Sequence, residues 1–267
     1  MREIVLLIDN YFKYVNSKED YQKKYSDSFE TIIKNIKDLL VNLSLSDLIE
    51  LYLKYVKDLS VFKNDNQDFI FNLLYEAIIS KLSTVSLMKV FDLYANIFVN
   101  SIDLEEHIES NQNIINARNY NLQDEYYIER QITKKSTTKE AFLKEYMLEL
   151  ESYVKHEKVL ERAFSNLDKL QNGILIYAET NLKTLTDKER TQLLETLNSR
   201  IEANSKEIVK RKKLGNNRLK LDLQSRFEDI SIYELIDSLN ITSLRNKNYV
   251  YESFRSAIME QIKENKK

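Results

Sequence analysis

The sequence contains no proline, no cysteine and no tryptophan, and its only glycines are Gly173 and Gly215. Globular proteins usually contain about 5% proline and about 7% glycine, so this chain has few residues that favour sharp turns. β-Sheet proteins need glycine, asparagine-glycine or proline turns at short intervals, and Rossmann-type or P-loop sites need several glycines in one loop. The composition therefore excludes these classes and predicts an all-α fold.

The absence of cysteine excludes disulfide bonds, thiol catalysis and cysteine-bound zinc or iron–sulfur sites. A chain without disulfides suits a reducing environment, so we expect the protein in the cytoplasm or in another reducing intracellular compartment.

Near the start, residues 4–8 are all apolar and an acid follows them. This run is too short for a membrane span and lacks the cleavage site of a signal peptide, so we expect no membrane association.

Charges of the two signs nearly balance. The chain has 40 Lys and Arg residues against 42 Asp and Glu residues, which gives a formal net charge of −2. Such a balance produces no overall field that would attract nucleic acid or anionic lipid. Any binding to a polyanion must therefore depend on a local cluster of cations.

One short motif recurs three times in the first hundred residues. Residues 7–15 (LIDNYFKYV) match residues 48–56 (LIELYLKYV) at an offset of 41, and the motif returns at residues 90–98 (VFDLYANIF) after a further 42. Apolar residues in these copies follow the i, i+3, i+4, i+7 spacing of an amphipathic helix. The pattern predicts three copies of one helical unit.

A second apolar stripe follows the motif, so the repeating unit is a pair of helices. The stripe of the first copy recurs 42 residues later in the second, at Phe29, Ile32, Ile33, Ile36 and Leu40 and then at Phe71, Leu74, Tyr75, Ile78 and Leu82. Near the C-terminus, residues 235–239 resemble the motif and residues 254–262 carry a second stripe. We interpret this segment as a weaker fourth copy.

Four predicted helix starts carry a hydroxyl residue three positions before an acid. This is the spacing of a capping box, or of its aspartate variant. The pairs are Ser44 with Asp47, Thr137 with Glu140, Thr186 with Glu189, and Ser231 with Glu234. They place the beginnings of helices just before the apolar stripes.

A two-helix unit of about 41 residues resembles the α-solenoid repeats of HEAT-like and octotricopeptide-like proteins. The resemblance covers residues 4–99 and, more weakly, residues 229–263. It implies stacked helix pairs that bury one face against each other and expose an extended surface. The octotricopeptide-like resemblance also implies nucleic-acid binding, and neither resemblance transfers a functional residue to this chain.

The predicted fold class is all-α, with tandem two-helix repeats of α-solenoid type and a long helical hairpin or coiled-coil arm. Residues 1–100 form the predicted helical-repeat domain, and residues 101–139 form a polar connection or a loosely packed helix. Near-heptad apolar stripes predict the long helices of the arm over residues 140–228. Gly215 and the two asparagines after it predict the C-cap that closes the arm, and residues 229–267 form a C-terminal helix pair.

A run of basic residues is the strongest local charge bias in the chain. Its members are Lys206, Lys210, Arg211, Lys212, Lys213, Arg218 and Lys220, with Glu207 as the only acid between 206 and 220. Such a run can contact phosphates or a protein partner. Cations are also favoured in the last turn of a helix by its dipole, so a solvated helix end is the third interpretation.

Two polar residue types recur at fixed places in the motif. A tyrosine at the fifth place either packs in the core or forms a ladder on a binding surface, and an acid at the third place either faces a basic partner or bonds to a neighbouring repeat. The tyrosines are Tyr11, Tyr52 and Tyr94. The acids are Asp9, Glu50 and Asp92, with Asp237 in the weaker copy.

Motifs for catalysis or metal binding are absent from the sequence. His156 begins the segment HEKVL, so the second histidine of a zincin His-Glu-x-x-His motif is missing. Acids surround His107 in residues 103–109, yet no second histidine lies near them, and a metal site needs ligands that converge. We therefore predict a non-enzymatic protein without a cofactor or a metal.

Three functional hypotheses follow. The leading one is a helical-repeat protein that binds or scaffolds a protein or peptide partner, alone or as a subunit of a larger assembly. The alternative is a nucleic-acid-binding helical-repeat protein that uses the basic run 206–220. The third is an enzyme whose dispersed acids and tyrosines converge only in the folded chain.

Overall fold

A computed structural model of the chain describes residues 1–17, 26–63, 68–225 and 240–264. These residues form nine α-helices and two short 3₁₀ segments, without a strand, which confirms the predicted all-α fold. The helices are α1 (Arg2–Val15), α2 (Ser26–Asn42), α3 (Leu45–Lys57), α4 (Asp68–Lys81), α5 (Leu87–Gln123), α6 (Glu125–Lys135), α7 (Lys139–Thr184), α8 (Asp187–Ser225) and α9 (Ile241–Glu264). The 3₁₀ segments are Leu59–Lys63, called the 3₁₀ turn below, and Leu82–Thr84.

The chain divides into two compact units. Unit 1 comprises residues 1–80 and 101–170, and unit 2 comprises residues 81–100 and 171–267. Helices α5 and α7 each contribute one segment to unit 1 and another to unit 2. Each unit therefore joins segments that are distant in sequence.

Corresponding aromatic residues are in contact in the first two helix pairs of unit 1, although their rings are oriented differently. In the first pair, α1 packs against α2, where Tyr11 stacks on Phe29 with 5.3 Å between ring centroids. In the second pair, the matching residues Tyr52 of α3 and Phe71 of α4 meet edge-on, also at 5.3 Å. The helices pack against one another in a way that is compatible with a helical-repeat fold.

A tyrosine of α3 connects the second helix pair to the first. The Tyr55 hydroxyl donates to the Asp9 carboxylate at 2.7 Å, with the Val5 carbonyl 3.1 Å away, and its ring packs against Phe12 at 5.5 Å. Burial, and then the hydrogen bond to Asp9, raises the pKa of Tyr55 above its ordinary value. A buried hydroxyl needs a partner of this kind, so the contact fixes how the two pairs pack.

The third copy of the motif belongs to a helix without a break. Helix α5 continues from Leu87 to Gln123, because no glycine or proline interrupts this stretch. The segment 101–139, expected as a polar connection or a loosely packed helix, thus lies largely in α5 and α6. Asp124 separates the two helices and accepts a hydrogen bond from the backbone N–H of Tyr127 at 3.1 Å.

Helices α5 and α7 pack antiparallel in unit 1. Asn111 of α5 donates to the carbonyl of Tyr153 at 3.1 Å. Further along α5, Arg118 pairs with Glu149 at 2.7 Å and lies over the rings of Tyr146 and Tyr153, 5.0 and 4.9 Å from their centroids. As the α5 number rises the α7 number falls, which defines the antiparallel direction. The sequence did not predict this pairing.

Unit 2 is built around the first turns of α5 and around α9. Phe91 stacks on Phe254 at 4.0 Å, and Tyr94 meets the same ring edge-on at 5.5 Å. Helix α8 packs against α9, where the side chains of Asn204 and Asn248 bond to each other at 2.9 Å. The apolar face of α9 includes Phe254 and Ile258, both buried, as its stripe predicted.

A buried arginine closes the C-terminal end of α7. Arg190 of α8 is only 5% exposed. Its guanidinium donates to the carbonyls of Leu182 and Lys183 at 3.3 and 3.2 Å and pairs with Asp187 at 3.0 Å. The last carbonyls of a helix have no partner within the helix and carry partial negative charge, so a cation is favoured there.

Two of the four predicted helix starts are confirmed, and one of them forms the full capping box. The hydroxyl of Ser44 accepts from the N–H of Asp47 at 3.2 Å. At the start of α8, Thr186 and Glu189 bond to each other's backbone N–H, at 3.3 and 2.8 Å. Hydrogen bonds from the side chain and the backbone of Thr186 lower the pKa of Glu189. The fourth pair, residues 231 and 234, lies outside the described residues.

The cap predicted at Thr137 is wrong by one residue. Helix α7 begins at Lys139, and the hydroxyl of Thr138 accepts from the N–H of Ala141 at 3.2 Å. Ser136 adopts a left-handed conformation with φ 49° at the end of α6, and the N–H of Thr137 bonds back to the carbonyl of Ile132 at 3.2 Å. Thr137 thus belongs to the C-cap of α6.

The C-cap predicted at Gly215 is also wrong, because α8 continues through this residue to Ser225. A glycine inside a helix costs only about 1 kcal/mol relative to alanine, so a single glycine does not by itself end a helix. The first helix predicted for the weaker fourth copy, with residues 235–239 and Asp237, lies outside the described residues.

None of the helices in the described ranges is long and apolar enough to cross a membrane.

Candidate binding surfaces

A groove of about 640 Å³ lies in unit 1 between α7 and the 3₁₀ turn. We call it the α7 groove. Its lining residues are Leu59, Ser60 and Phe62 from the 3₁₀ turn and Ser152, Lys155, His156, Lys158, Val159 and Arg162 from α7. Ligand sites in proteins usually have volumes of about 300–1,000 Å³, so the groove is large enough for a small molecule or a few peptide residues.

Local sequence forms both walls of the α7 groove. On α7, the residues at 152, 155, 159 and 162 follow the 3–4 spacing that places side chains on one helix face. On the other wall, Asp58 ends α3, and its carboxylate accepts from the backbone N–H and the hydroxyl of Ser60 at 3.1 and 2.6 Å. This short-range bonding favours a turn over another helical turn.

The charged side chains that line the α7 groove are all basic. The guanidinium of Arg162 donates to the carbonyl of Phe62 at 3.2 Å and ties α7 to the 3₁₀ turn. Lys155 lies 4.0 Å from Glu151, and 80% of its side chain is exposed, so solvent screens this pair strongly. Lys158 and His156 are exposed and make no hydrogen bond or ion pair to any residue that the structure describes.

Apolar side chains lie beside these cations. Leu59 and Val159 are half-buried, whereas Phe62 is fully buried and stacks on Phe71 at 5.1 Å. Leu148 lies one turn before Ser152 on the same face of α7, and 59% of it is exposed. The α7 groove therefore combines an apolar surface with unpaired positive charge, a combination that suits an anionic ligand with an apolar part.

The basic run of α8 has different surroundings. Its lysines and arginine at 206, 210 and 211 lie one helical turn from acids: Lys206 pairs with Glu202 at 2.7 Å, and Arg211 pairs with Glu207 at 2.8 Å. The nitrogen of Lys210 is 3.7 Å from Glu207. Hydrogen bonds from Lys206 and Arg211 lower the pKa of Glu202 and of Glu207, respectively.

The remaining members of the basic run fall into two groups. Lys212 and Lys213 are exposed and form no ion pair within the described ranges. The side chains of Arg218 and Lys220 lie outside the described residues. Two unpaired lysines are therefore what this surface presents to a ligand in the part of α8 whose side chains are described.

Two of the recurrent acids, Asp9 and Glu50, lie on exposed helix surfaces in unit 1. Asp9 accepts the hydrogen bond from Tyr55 and so belongs to the contact between neighbouring helix pairs. Glu50 makes no hydrogen bond or ion pair with any residue that the structure describes. The two acids therefore have different surroundings despite their equivalent places in the motif.

Asp92, the third recurrent acid, lies at the centre of a polar network in unit 2. Its carboxylate pairs with Arg200 of α8 at 2.8 Å and accepts from the hydroxyl of Tyr251 of α9 at 2.8 Å. Burial, and then the hydrogen bond to Asp92, raises the pKa of Tyr251. Burial lowers the pKa of Lys247, and the negative charge of Asp92 opposes that shift. In this unit Asp92 bonds to neighbouring helices, and 20% of its side chain is exposed.

The recurrent tyrosines pack within the units. Tyr11 and Tyr52 are buried, and burial raises the pKa of Tyr11 to about 12. The hydroxyl of Tyr52 donates to the carbonyl of Asn166 of α7 at 2.7 Å. Tyr94 is half-buried, and its hydroxyl accepts from the amide of Gln171 at 3.3 Å. Tyr11 and Tyr52 are thus core residues, whereas Tyr94 is only partly buried.

The two histidines and the acids around His107 do not converge on a metal site. Both His107 and His156 are exposed. Across the described ranges, no group of three or more His, Cys, Asp or Glu side chains has an arrangement that would hold a metal ion. His156 instead lines the α7 groove together with Lys155 and Lys158.

The α7 groove was missed by the sequence analysis. Residues 151–162 contain three Lys or Arg residues and three Glu residues, so the segment has no charge bias along the chain. Placed on a helix, Lys155, Val159 and Arg162 share one face with Glu151, while Glu157 and Glu161 lie on other faces. A helical wheel would therefore show a basic excess on this face, but the second wall of the groove comes from the 3₁₀ turn and has no local signal.

No protein-family model, curated protein or solved structure matches this chain.

Proposed function

We propose that this chain is a non-enzymatic helical-repeat protein that binds or scaffolds a protein or peptide partner. The proposal includes the stacking of the helix pairs in the manner of HEAT-like or octotricopeptide-like repeats. It is supported by the recurring helix pairs and by the matched contacts of Tyr11 with Phe29 and of Tyr52 with Phe71. Proteins of this architecture bind their partners along exposed helix surfaces.

The α7 groove is the observation that carries the proposal. It places half-buried Leu59 and Val159 beside Lys155 and Lys158. Peptide recognition by helical proteins commonly uses apolar anchors in a groove with charged residues at its rim. The proposal therefore assigns partner binding to unit 1.

The test is purification of the tagged chain from its native source, with and without nuclease treatment. We expect a stoichiometric protein partner that survives the nuclease, because contacts to side chains do not depend on nucleic acid. A partner that disappears with nuclease, or a preparation that contains no partner in either condition, would contradict the proposal.

A second candidate function is nucleic-acid binding by the basic run of α8. The observation that favours it is the pair of exposed lysines, Lys212 and Lys213, without an acid paired to them in the described ranges. Binding of an oligonucleotide should then weaken steeply with salt, because each phosphate contact releases counterions. Salt-independent binding, or equal binding by the variant K212E/K213E, would exclude this candidate.

A further inference from the structure

The charges of the residues that line the α7 groove indicate the charge of the ligand that it would bind. Of the residues that line it, three are cationic, namely Lys155, Lys158 and Arg162, and none is acidic. The nearest acid on α7, Glu151, has 58% of its side chain exposed and lies 4.0 Å from Lys155. An exposed pair at this distance contributes little, so a carboxylate of a ligand can replace Glu151 at Lys155.

The apolar part of the α7 groove points to a peptide. Leu59 and Val159 are half-buried beside the cations, and Leu148 extends the same face of α7 by one turn with 59% exposure. A free inorganic anion would leave these apolar side chains in water. A peptide segment with both acidic and apolar residues can neutralise the lysines and cover the apolar surface together.

Nucleic acid fits the α7 groove less well. Single-stranded nucleic acid is usually bound by aromatic side chains that stack on the bases and by a continuous track of cations. Of the two aromatic rings in the lining, Phe62 is fully buried and offers no face to a base, so only the exposed imidazole of His156 remains for stacking.

We propose that the α7 groove binds an acidic, partly apolar segment of a protein partner, with carboxylates at Lys155 and Lys158 and an apolar side chain against Leu59 and Val159. This inference rests on the proposed function, since it names the chemistry of the partner. Arg162 holds the 3₁₀ turn through the carbonyl of Phe62 and thereby keeps the two walls together.

The experiment is a selection of peptides from a phage-displayed random library on the full chain and on the variant K155E/K158E. The variant K139E/K144E is the matched control, because it reverses the same charges on exposed lysines of α7 that do not line the groove. We expect the wild type and the control to enrich peptides rich in Asp and Glu with interspersed Leu, Ile or Phe. The variant K155E/K158E should not enrich them.

The affinity of the most enriched peptide is then measured by fluorescence anisotropy. Reversal of two charges at exposed ion pairs should weaken binding roughly ten- to hundredfold, and replacement of the glutamates of the peptide by glutamine should have a similar effect. Circular dichroism of each variant establishes that its helix content is unchanged, since all four lysines are exposed.

Several outcomes would overturn the inference. Enriched peptides without an acidic bias, equal enrichment by K155E/K158E, or no enrichment at all would each do so. An oligodeoxythymidine probe that binds the wild type and loses its affinity in K155E/K158E would reassign the groove to nucleic acid. If the native partner is still purified with K155E/K158E, the proposed function stands and this inference fails, whereas the absence of any partner contradicts the proposed function itself.

Discussion

The lysine-rich surfaces of α7 and α8 are similar in composition and differ in what surrounds each cation. On α8, Glu202 and Glu207 lie one turn from the cations and pair with Lys206 and Arg211 at 2.7 and 2.8 Å. On α7, the 3₁₀ turn adds a second wall, and the residues that line the groove include no acid. On α8 three of the cations pair with acids of the same helix, whereas the α7 groove places Lys158, which has no acidic partner in the described ranges, beside a partly apolar surface.

The comparison shows that a run of like charges along the chain is a poor guide to a binding site. The α8 run has the strongest charge bias in the sequence and is partly neutralised by its own helix. The α7 segment has no net formal charge, yet it places its cations on one face because a helix separates residues that are adjacent in sequence. The following changes would break or sharpen this difference.

The largest effect is expected from Phe62→Ala, which removes the buried ring in the wall of the α7 groove. Phe62 is fully buried and stacks on Phe71, so the cavity should lower the free energy of unfolding by about 3–5 kcal/mol. Urea denaturation followed by circular dichroism measures it. The control is Leu214→Ala on α8, where 50% of the side chain is exposed and a change within about 0.5 kcal/mol is expected.

Alkaline pH should destabilise both units through Tyr55 in unit 1 and Tyr251 in unit 2. Burial, and then hydrogen bonds to Asp9 and Asp92, raises the pKa of each hydroxyl. Above about pH 10 the unfolded state loses protons that the folded state keeps, so stability is complete below that pH and falls above it.

Above about pH 10 the free energy of unfolding should fall by up to about 1.4 kcal/mol per pH unit for each of these two tyrosines. Urea denaturation between about pH 9 and about pH 11 measures it. Tyr55→Phe and Tyr251→Phe should each flatten the curve, and Tyr126→Phe, with 74% of the residue exposed, should leave it unchanged. A curve that rises with pH would show that the sign is wrong.

Asp92→Asn should have a larger effect than Asp9→Asn. Asp92 pairs with Arg200 and accepts from Tyr251, so loss of its charge should cost about 1–2 kcal/mol of stability. The Asp9 side chain accepts only from Tyr55 among the described contacts, and an asparagine oxygen can still accept, so we expect about 0.5–1 kcal/mol. Equal effects in the two variants would argue against the network around Asp92.

The start of α7 provides a smaller effect with a clear sign. Thr138→Ala removes the hydroxyl that accepts from the N–H of Ala141 and should lower stability by about 1 kcal/mol. Thr137→Ala should have little effect, because only the backbone of Thr137 bonds to Ile132 in the C-cap of α6. Thermal denaturation of the two variants side by side tests the one-residue shift.

The smallest change in stability is expected for Glu207→Gln, which makes α8 more like α7. Glu207 pairs with Arg211 and Lys210 at the helix surface, where solvent screens the charges, so stability should hardly change. Oligonucleotide binding at low salt should strengthen and depend more steeply on salt, because two cations are released. An unchanged salt dependence would mean that this surface does not contact phosphates.

Much of the fold follows from local patterns. The motif copies correctly predicted helices at 7–15, 48–56 and 90–98, and two hydroxyl–acid pairs predicted the starts of α3 and α8. The predictions at Thr137 and Gly215 were wrong because a threonine can lie at either end of a helix and a glycine can end a helix or lie inside one. Thr137 serves the cap of α6, and one glycine inside α8 costs too little to end it.

The sequence by itself determined that the chain is helical and where most of its helices lie, because these features depend on spacing and side-chain type within a few turns. Only the tertiary structure decided that α5 pairs antiparallel with α7, that Arg190 is buried at the end of α7, and that Asp92 bonds to Arg200 and Tyr251. The α7 groove belongs to this second group as well. Its two walls are about a hundred residues apart in the chain, and their contact depends on packing that no local pattern encodes.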